Sequence, residues 1–407
     1  MEQFRKRLFR FLIIKEGNSK LLLLNYLADS SFSIADLPAA ESCFTFCWTR
    51  GMNKRLDAVK NRVKNLLLMK PKAIDLFSGC GGLTLGLKQA GFRVVGAVEI
   101  DPLAVETYRA NHKRVIIWEK DITKIPAVEV MRRLKIKRGQ LDLLAGCPPC
   151  QGFSTMTTLN GRIGQDQRND LVFQYLRFVR AMRPKAVMLE NVPKLAKNWR
   201  SKKLLAELKK LGYKTRHGVL DAADYGVPQR RRRFILVGGR GKIIPFGKST
   251  LIKRTVRKAF AKLGKGSKTD PLHNLPEDRS AAVRERIRAT PKDGGSRLDL
   301  GLQYQLDCHR KCNGFKDVYG RMAWDEVSPT ITGGCFNPSK GRFLHPTKNR
   351  NISMREAALL QSFPRNYFFP VKRGKTPVAQ MIGNALPPEF IRRHASKIFK
   401  HLLTVKN

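Results

Sequence analysis

From residue 72 onward, short apolar runs closed by a glycine or an acid alternate with stretches whose apolar positions recur three and four apart. AIDLF (73–77), FRVVGAVEI (92–100), the run IIWEKD ending at Asp121, LDLLAGC (141–147), AVMLENV (186–192) and FILVGG (234–239) read as strands. LTLGLKQAG (83–91), DPLAVETYRANH (101–112) and LVFQYLRFVRAMRP (171–184) read as helices; Gly91 stops the first and Asp101-Pro102 opens the second. Strands alternating with helices predict an α/β fold built on a doubly wound, mostly parallel sheet. Such sheets carry their chemistry at the carboxyl ends of the strands.

The pattern changes at two places. Residues 1–70 mix short apolar runs with basic stretches and hold no catalytic signature. They form an N-terminal extension, read either as a segment upstream of the true start (Met52 and Met69 are both candidate starts) or as a small helical arm against DNA. Residues 71–240 carry the alternation and form the catalytic and cofactor-binding domain. Residues 241–345 break it with charge runs and Gly/Pro punctuation, which predicts a second, smaller and less regular domain. Residues 346–407 return to the catalytic domain, with a helical pattern over 377–403.

Charge narrows the partners. The 407 residues include 79 Lys+Arg against 32 Asp+Glu, a net charge of +47. So large a positive field favours a polyanion, and a nucleic acid above a membrane surface. The longest apolar runs, such as LLLL at 21–24, are too short to span a bilayer. Eight cysteines without a convincing secretory signal place the thiols in a reducing, intracellular setting.

The candidate chemistry falls at strand ends. DLFSGCGGLTLGL (75–87) is a Gly-rich strand-to-helix turn that lets a ligand approach the backbone, although it lacks the dinucleotide spacing. Glu99 ends the next strand, where a carboxylate can accept from ribose hydroxyls, and Asp121 ends the one after. The weaker alternative is that both acids are helix N-caps or first-turn acids. GCPPCQGFS (146–154) holds Cys147 and Cys150. A metal site needs two more ligands, which Cys308 and Cys312 supply on paper. The favoured reading has no metal and one exposed nucleophilic thiol, Cys150, on a proline-stiffened loop. Glu190 and Asn191 end the strand in MLENV. In YGVPQRRRRFILVGG, strand alternation puts Gln229, Arg231 and Arg233 on one face and turns Arg230 and Arg232 away.

In this order, DLFSGCGG, GCPPCQGFS, LENV, QRRRR and QMIGNALPP resemble the motif series of the DNA (cytosine-5) methyltransferases, of the bacterial, restriction–modification-like kind. The resemblance covers residues 72–403. It implies an S-adenosylmethionine-dependent, Rossmann-like fold with a target-recognition domain, and a cytosine flipped from double-stranded DNA. It implies Cys150 as the nucleophile, Glu190 as the group at cytosine N3, and Arg233 and Arg231 at O2 and around Glu190. Cys147 is then only a small packing residue. Phe77, Gly79, Gly81, Gly82, Leu83, Glu99, Asp121, Leu171 and Asn384 are implied around S-adenosylmethionine, with Ile100 where the family often has an aromatic. Gln151, Ser154, Arg168 and Gln229 are implied at the DNA, the first three within a mobile loop at 151–170. The stretch 329–346 is expected to read bases in the major groove. The resemblance further implies a cytoplasmic, nucleoid-associated monomer with a cognate restriction endonuclease as functional partner. An RNA methyltransferase of the same fold and a catalytically silent DNA binder are the alternatives. The sizeable variable region argues against the first, and the intact Cys150, Glu190 and arginines against the second.

Overall fold

The computed structural model describes residues 11–16, 19–24, 70–149, 170–264, 268–307, 314 and 316–404. The chain divides into two compact units, Met1–Met69 and Lys70–Asn407. In the first, β1 (Phe11–Glu16) and β2 (Ser19–Leu24) pair antiparallel, so these residues form strands rather than a helical arm.

In the second unit β3 (Lys72–Leu76), β4 (Arg93–Glu99), β5 (Ile116–Glu119), β6 (Leu143–Gly146), β7 (Ala186–Asn191), β8 (Tyr213–Asp221) and β9 (Arg232–Arg240) make one sheet in the order β5-β4-β3-β6-β7-β9-β8. Neighbours from β5 to β7 are parallel, whereas β9 runs antiparallel to both β7 and β8. The chain lays β3, β4 and β5 outward in one direction, then returns to place β6 on the other side of β3. The order therefore reverses between β3 and β6, which opens a crevice beyond their carboxyl ends.

Helices cover both faces: α1 (Gly82–Gln89), α2 (Pro102–Asn111), α3 (Ala127–Arg133), α4 (Leu171–Met182) and α5 (Trp199–Lys210), then α6 (Val256–Phe260), α7 (Ala281–Ala289), α8 (Met354–Leu360), α9 (Lys375–Asn384) and α10 (Pro388–Thr404). Strand alternation divides the core. Ile74, Leu76, Leu144, Val187 and Leu189 pack under α4 and α5, while Ala73, Leu143, Ala145, Ala186 and Met188 pack under α1 and α10. Because both faces are covered, β6 and β7 are buried throughout and read as unbroken apolar runs. The edge strand β8, YKTRHGVLD, is half exposed and polar, and for that reason it carried no strand signal in the sequence.

The expected helical stretch 377–403 is two helices. Ala385, the C-cap of α9, is extended at ψ 149, and the prolines at 387 and 388 keep the chain from continuing the helix. A further core joins α6, α8 and α9 with residues 322–343 and with Cys80 and Leu103 of the first half. Much of the variable region therefore packs as an extension of the catalytic core. Arg321 pins it: the guanidinium is fully buried and donates to the carbonyls of Ile287, Thr290 and His345. The expected groove-reading stretch 329–346 departs from that expectation. Ile331, Cys335 and 343–346 are buried, and only Thr332, Ser339 and Lys340 are exposed. The apolar residues of this stretch are spent on packing, so they are not available to read bases.

The glycine turn after β3 is held from behind. Gly81 has φ +96, and a Cβ there would lie 2.5 Å from His112 Nε2 and 2.7 Å from the Tyr367 hydroxyl. Those two side chains bond each other and the carbonyls of Gly81 and Cys80. Gly81→Ala is expected to lower stability by about 3 kcal/mol, from backbone strain plus overpacking, as read by chemical denaturation.

Beneath the turn, Asp75 is fully buried and accepts from the Thr84 hydroxyl at 2.7 Å. Burial raises its carboxyl to about 7 from 3.8. The native state thus favours the neutral acid, and stability is lost as pH rises from about 4 to about 7. The melting temperature of Asp75→Asn relative to wild type should therefore climb between pH 4 and 8; parallel curves would contradict this.

Candidate active site

A cavity of about 1020 Å³ opens at the reversal point, beyond the ends of β3, β4, β6 and β7. Its first wall is the turn after β3. Phe77 lines it with φ 61, a conformation uncommon for a bulky residue and one that clusters at functional sites. Gly79, Gly82 and Leu83 follow on the same wall. Gly81 departs from the expectation. It does not line the cavity, and its need for glycine comes from His112 and Tyr367 behind it. Gly82 is similarly constrained on its far side, where a Cβ would meet the Leu386 carbonyl at 2.4 Å.

The acids at the next two strand ends also line the cavity. Glu99 Oε2 accepts from the Gly79 amide at 2.7 Å, and Oε1 accepts from the amides of Ile100 and Asp101 at 2.9 Å. Three of about four acceptor sites of a carboxylate are thereby filled. Glu99 has one site left, on Oε2, where the sequence reading gave it two hydroxyls. Burial raises its carboxyl, and the amide bonds act against that. Asp121 caps the turn at Ile122–Lys124 by accepting from the Thr123 amide at 2.9 Å, which lowers its carboxyl. Asp121 is thus both a cap and a cavity-lining acid, whereas Glu99 lines the cavity without capping a helix, since Asp101 is the N-cap of α2 and accepts from the Leu103 amide. Leu171 at the start of α4 and Asn384 at the end of α9 close this part of the cavity, while Ile100 is 62% exposed beside it.

Pro148 and Pro149 lead from β6 into the same cavity. The Asn191 side chain donates to the Pro148 carbonyl at 2.9 Å and bonds the Val192 amide at 2.7 Å, tying the turn to the end of β7. Cys150, Gln151, Ser154 and Arg168 lie outside the described residues, as do Cys308 and Cys312. Among the described residues no group of His, Cys, Asp and Glu is arranged to hold a metal ion.

Glu190 ends β7, only 7% exposed, and faces the cavity. Arg233 Nε lies 3.0 Å from Oε1. That contact is a charge pair without a well-directed hydrogen bond, and Oε1 has no other partner among the described residues. Oε2 accepts from the Cys147 thiol at 3.1 Å. Burial raises Cys147 well above its ordinary value, with the neighbouring carboxylate adding to the shift, so the sulfur carries its proton.

The arginine run alternates as expected: Arg231 and Gln229 are buried, Arg230 and Arg232 exposed. Two of the expected roles do not follow. Gln229 is fully buried, donating to Gln361 Oε1 at 2.9 Å and accepting from the Ile331 amide at 2.8 Å, so it cannot touch DNA. Arg231 commits both terminal nitrogens to main-chain carbonyls, Ile331 at 3.0 Å and Gly383 at 2.9 Å. It braces two cavity walls, leaving only its buried Nε without a partner. Burial lowers it to about 9, still a cation at neutral pH. Sequence reasoning also missed the wall made by Thr330, Thr332, Gly333 and Gln380. A close approach is its one signal: a Cβ on Gly383 would lie 2.3 Å from Gly333 N.

Fold and cavity together define an α/β protein with a cavity large enough for a nucleoside-sized ligand at the carboxyl edge of its sheet, beside a buried carboxylate. The chain belongs to the C-5 cytosine-specific DNA methylase family, which it matches over residues 71–400, and is a DNA cytosine-5 methyltransferase. It is similar to the Type II methylase M.HgiDII of Herpetosiphon aurantiacus, with 36% identity over 81% of this chain and 95% of the relative. It is also similar to the Type II methyltransferase M1.HphI of Haemophilus parahaemolyticus, with 33% identity over 80% and 86%. Among solved structures, an E. coli prophage-encoded protein assigned as a DNA modification methyltransferase superposes with a TM-score of 0.63 at 25% identity, over 82% of this chain and 100% of the other. Spodoptera frugiperda DNMT2 shares the fold, with a TM-score of 0.54 at 16% identity over 82% and 99%. No helix among the described residues is long and apolar enough to cross a membrane.

Proposed function

We propose that the protein methylates C5 of a cytosine flipped out of duplex DNA, using S-adenosylmethionine and a covalent Cys150 intermediate, at one short recognition sequence. The observation that carries this reading is the placement of Glu190. It stands buried and partly unpartnered in the cavity that also receives the Gly79–Glu99 wall and the Pro148-Pro149 lead into Cys150.

The cavity fits the cofactor and base. Its volume of about 1020 Å³ exceeds what a single small ligand needs. The open acceptor site of Glu99 suits one ribose hydroxyl and the cavity-lining Asp121 carboxylate an adenine amine, with Phe77, Leu171 and Asn384 around them. S-adenosylmethionine, when bound, supplies a sulfonium-activated methyl group. The Cys150 thiolate adds to C6 of the ring, and the electron pair displaced makes C5 nucleophilic. Glu190 gives a hydrogen bond or proton to N3 and Arg233 holds O2, so charge building on the ring is met as it develops. After methylation a base, water serving, removes the C5 proton and the S–C6 bond breaks, returning Cys150. The base must leave the duplex for any of this, and the 151–170 loop, with Gln151, Ser154 and Arg168 at the DNA, closes over it.

We place recognition in 241–345 on its exposed cations, among them Lys258, Arg284, Arg288, Lys292 and Lys340, rather than on the buried part of 329–346. The relatives' naming as Type II enzymes supports a restriction–modification or host-protection role, with a cognate endonuclease as functional partner and a cytoplasmic, nucleoid-associated monomer.

Glu99→Ala should weaken S-adenosylmethionine binding about tenfold by calorimetry, the worth of one hydrogen bond to a charged group. Unchanged affinity would remove Glu99 from the ribose role. The whole reading is tested by incubating the protein with duplex DNA and methyl-labelled S-adenosylmethionine and mapping 5-methylcytosine at base resolution. Label at one short motif is expected; label on RNA and not on DNA would overturn the choice of substrate.

A further inference from the structure

We infer that Cys147 is a positioning residue for Glu190: its thiol holds one carboxyl oxygen and so fixes the orientation of the carboxyl group at the cytosine ring. The inference rests on the proposed role of Glu190 at N3 and adds a residue to it. The family resemblance left Cys147 as packing. The structure gives it a directed contact instead.

The two groups arrive from neighbouring parallel strands. Cys147 follows β6, and its amide donates to the Leu76 carbonyl at 3.1 Å, which fixes its backbone against β3. Glu190 is the second-last residue of β7, and Asn191 beside it is bonded to Pro148 beside Cys147. Both side chains therefore stand on backbones that brace each other. The thiol reaches Oε2 at 3.1 Å, while Oε1, closed to solvent, has no hydrogen-bond partner among the described residues and only the poorly directed Arg233 charge near it. A carboxyl group so held cannot rotate freely to exchange its oxygens. An S–H is a weak donor to neutral groups but gains strength against a carboxylate. Because it is a donor only while protonated, a half-buried thiol next to an acid is suited to the task, whereas a second thiolate near Cys150 would not be.

The test compares Cys147→Ala, Cys147→Val and Cys147→Ser in single-turnover methyl transfer, each across a pH series and each with its melting temperature and its affinity for S-adenosylmethionine and DNA. Ala and Val remove the donor, one leaving space and one filling it. Both are expected to be slower by about tenfold, with displaced pH profiles and little change in either affinity. Ser restores a donor and should recover most of the rate and the wild-type profile. A packing role predicts the opposite order, since Ala and Val suit a buried apolar position better than Ser, and rates would then follow melting temperatures. That order, or full activity of Ala and Val, overturns the inference. Glu190→Gln in the same assay separates the two levels. If it is slow while Cys147→Ala is not, only the role of Cys147 fails; if it is fast, the role of Glu190 fails and that of Cys147 with it. In a Glu190→Ala background, Cys147→Ala should add no further loss.

Discussion

Cys150→Ser is expected to lower methyl transfer by at least about a thousandfold, while S-adenosylmethionine binds the variant nearly as well as the wild type. The alcohol that replaces the thiol is far less acidic and less polarisable, and at neutral pH almost none of it is in the attacking form. Without addition at C6, C5 of cytosine is too weak a nucleophile to take the methyl group. The cofactor wall is built from β3, β4 and their turns, on the other side of the sheet reversal from the Cys150 loop, so its contacts should survive. Single-turnover transfer and calorimetric binding on one preparation check both halves. Retained turnover would refute the covalent mechanism, whereas lost cofactor affinity would mean that the loop contributes to that pocket.

The second large effect is at Glu190. Glu190→Ala is expected to slow transfer about a thousandfold and Glu190→Gln about a hundredfold, within the range that a positioned acid and an oriented donor contribute. The order of the two has a physical reason. A glutamine amide can still give a hydrogen bond to N3, but it has no proton to transfer and no charge to pair with Arg233, 3.0 Å away in the wild type. Alanine also leaves the Cys147 thiol without its acceptor and Arg233 without its counter-charge. Equal rates for the two variants would show that a hydrogen bond to N3 without the proton or charge of Glu190 contributes nothing; wild-type rates would remove Glu190 from the chemistry.

The sheet was legible because its central strands are covered on both faces and so read as apolar runs, and because the residues that matter stand at strand ends: Glu99 last in β4, Glu190 second-last in β7. The alternation of the arginine run likewise gave the correct faces, since a period of two needs no tertiary knowledge. What lay on those faces was not legible. Gln229 meets Gln361 across 132 residues, and Arg231 meets Ile331 and Gly383 across 100 and 152. Whether a polar side chain is a ligand or a brace depends on such partners. The contact of Cys147 with Glu190 was hidden for the same reason, its acceptor lying 43 residues on. The glycine turn shows a subtler limit. Gly79, Gly81 and Gly82 look alike in sequence, yet a Cβ on Gly79 meets nothing within 4 Å, while on Gly81 and Gly82 it would strike protein. Only the first is free to serve a ligand without also being required by packing. In the variable region no period of either kind was present, and a buried arginine, Arg321, organises backbone carbonyls that sequence pattern cannot anticipate.

The most direct test of the account uses a duplex carrying 5-fluorocytosine at the mapped target position, incubated with the full-length protein and S-adenosylmethionine. Fluorine at C5 leaves no proton to remove, so an adduct once methylated cannot release its sulfur. A denaturation-resistant protein–DNA complex, with the modified peptide mapping to Cys150, is the predicted result. Methylation of the ordinary duplex with no such complex, or a complex attached at Cys147, would contradict it.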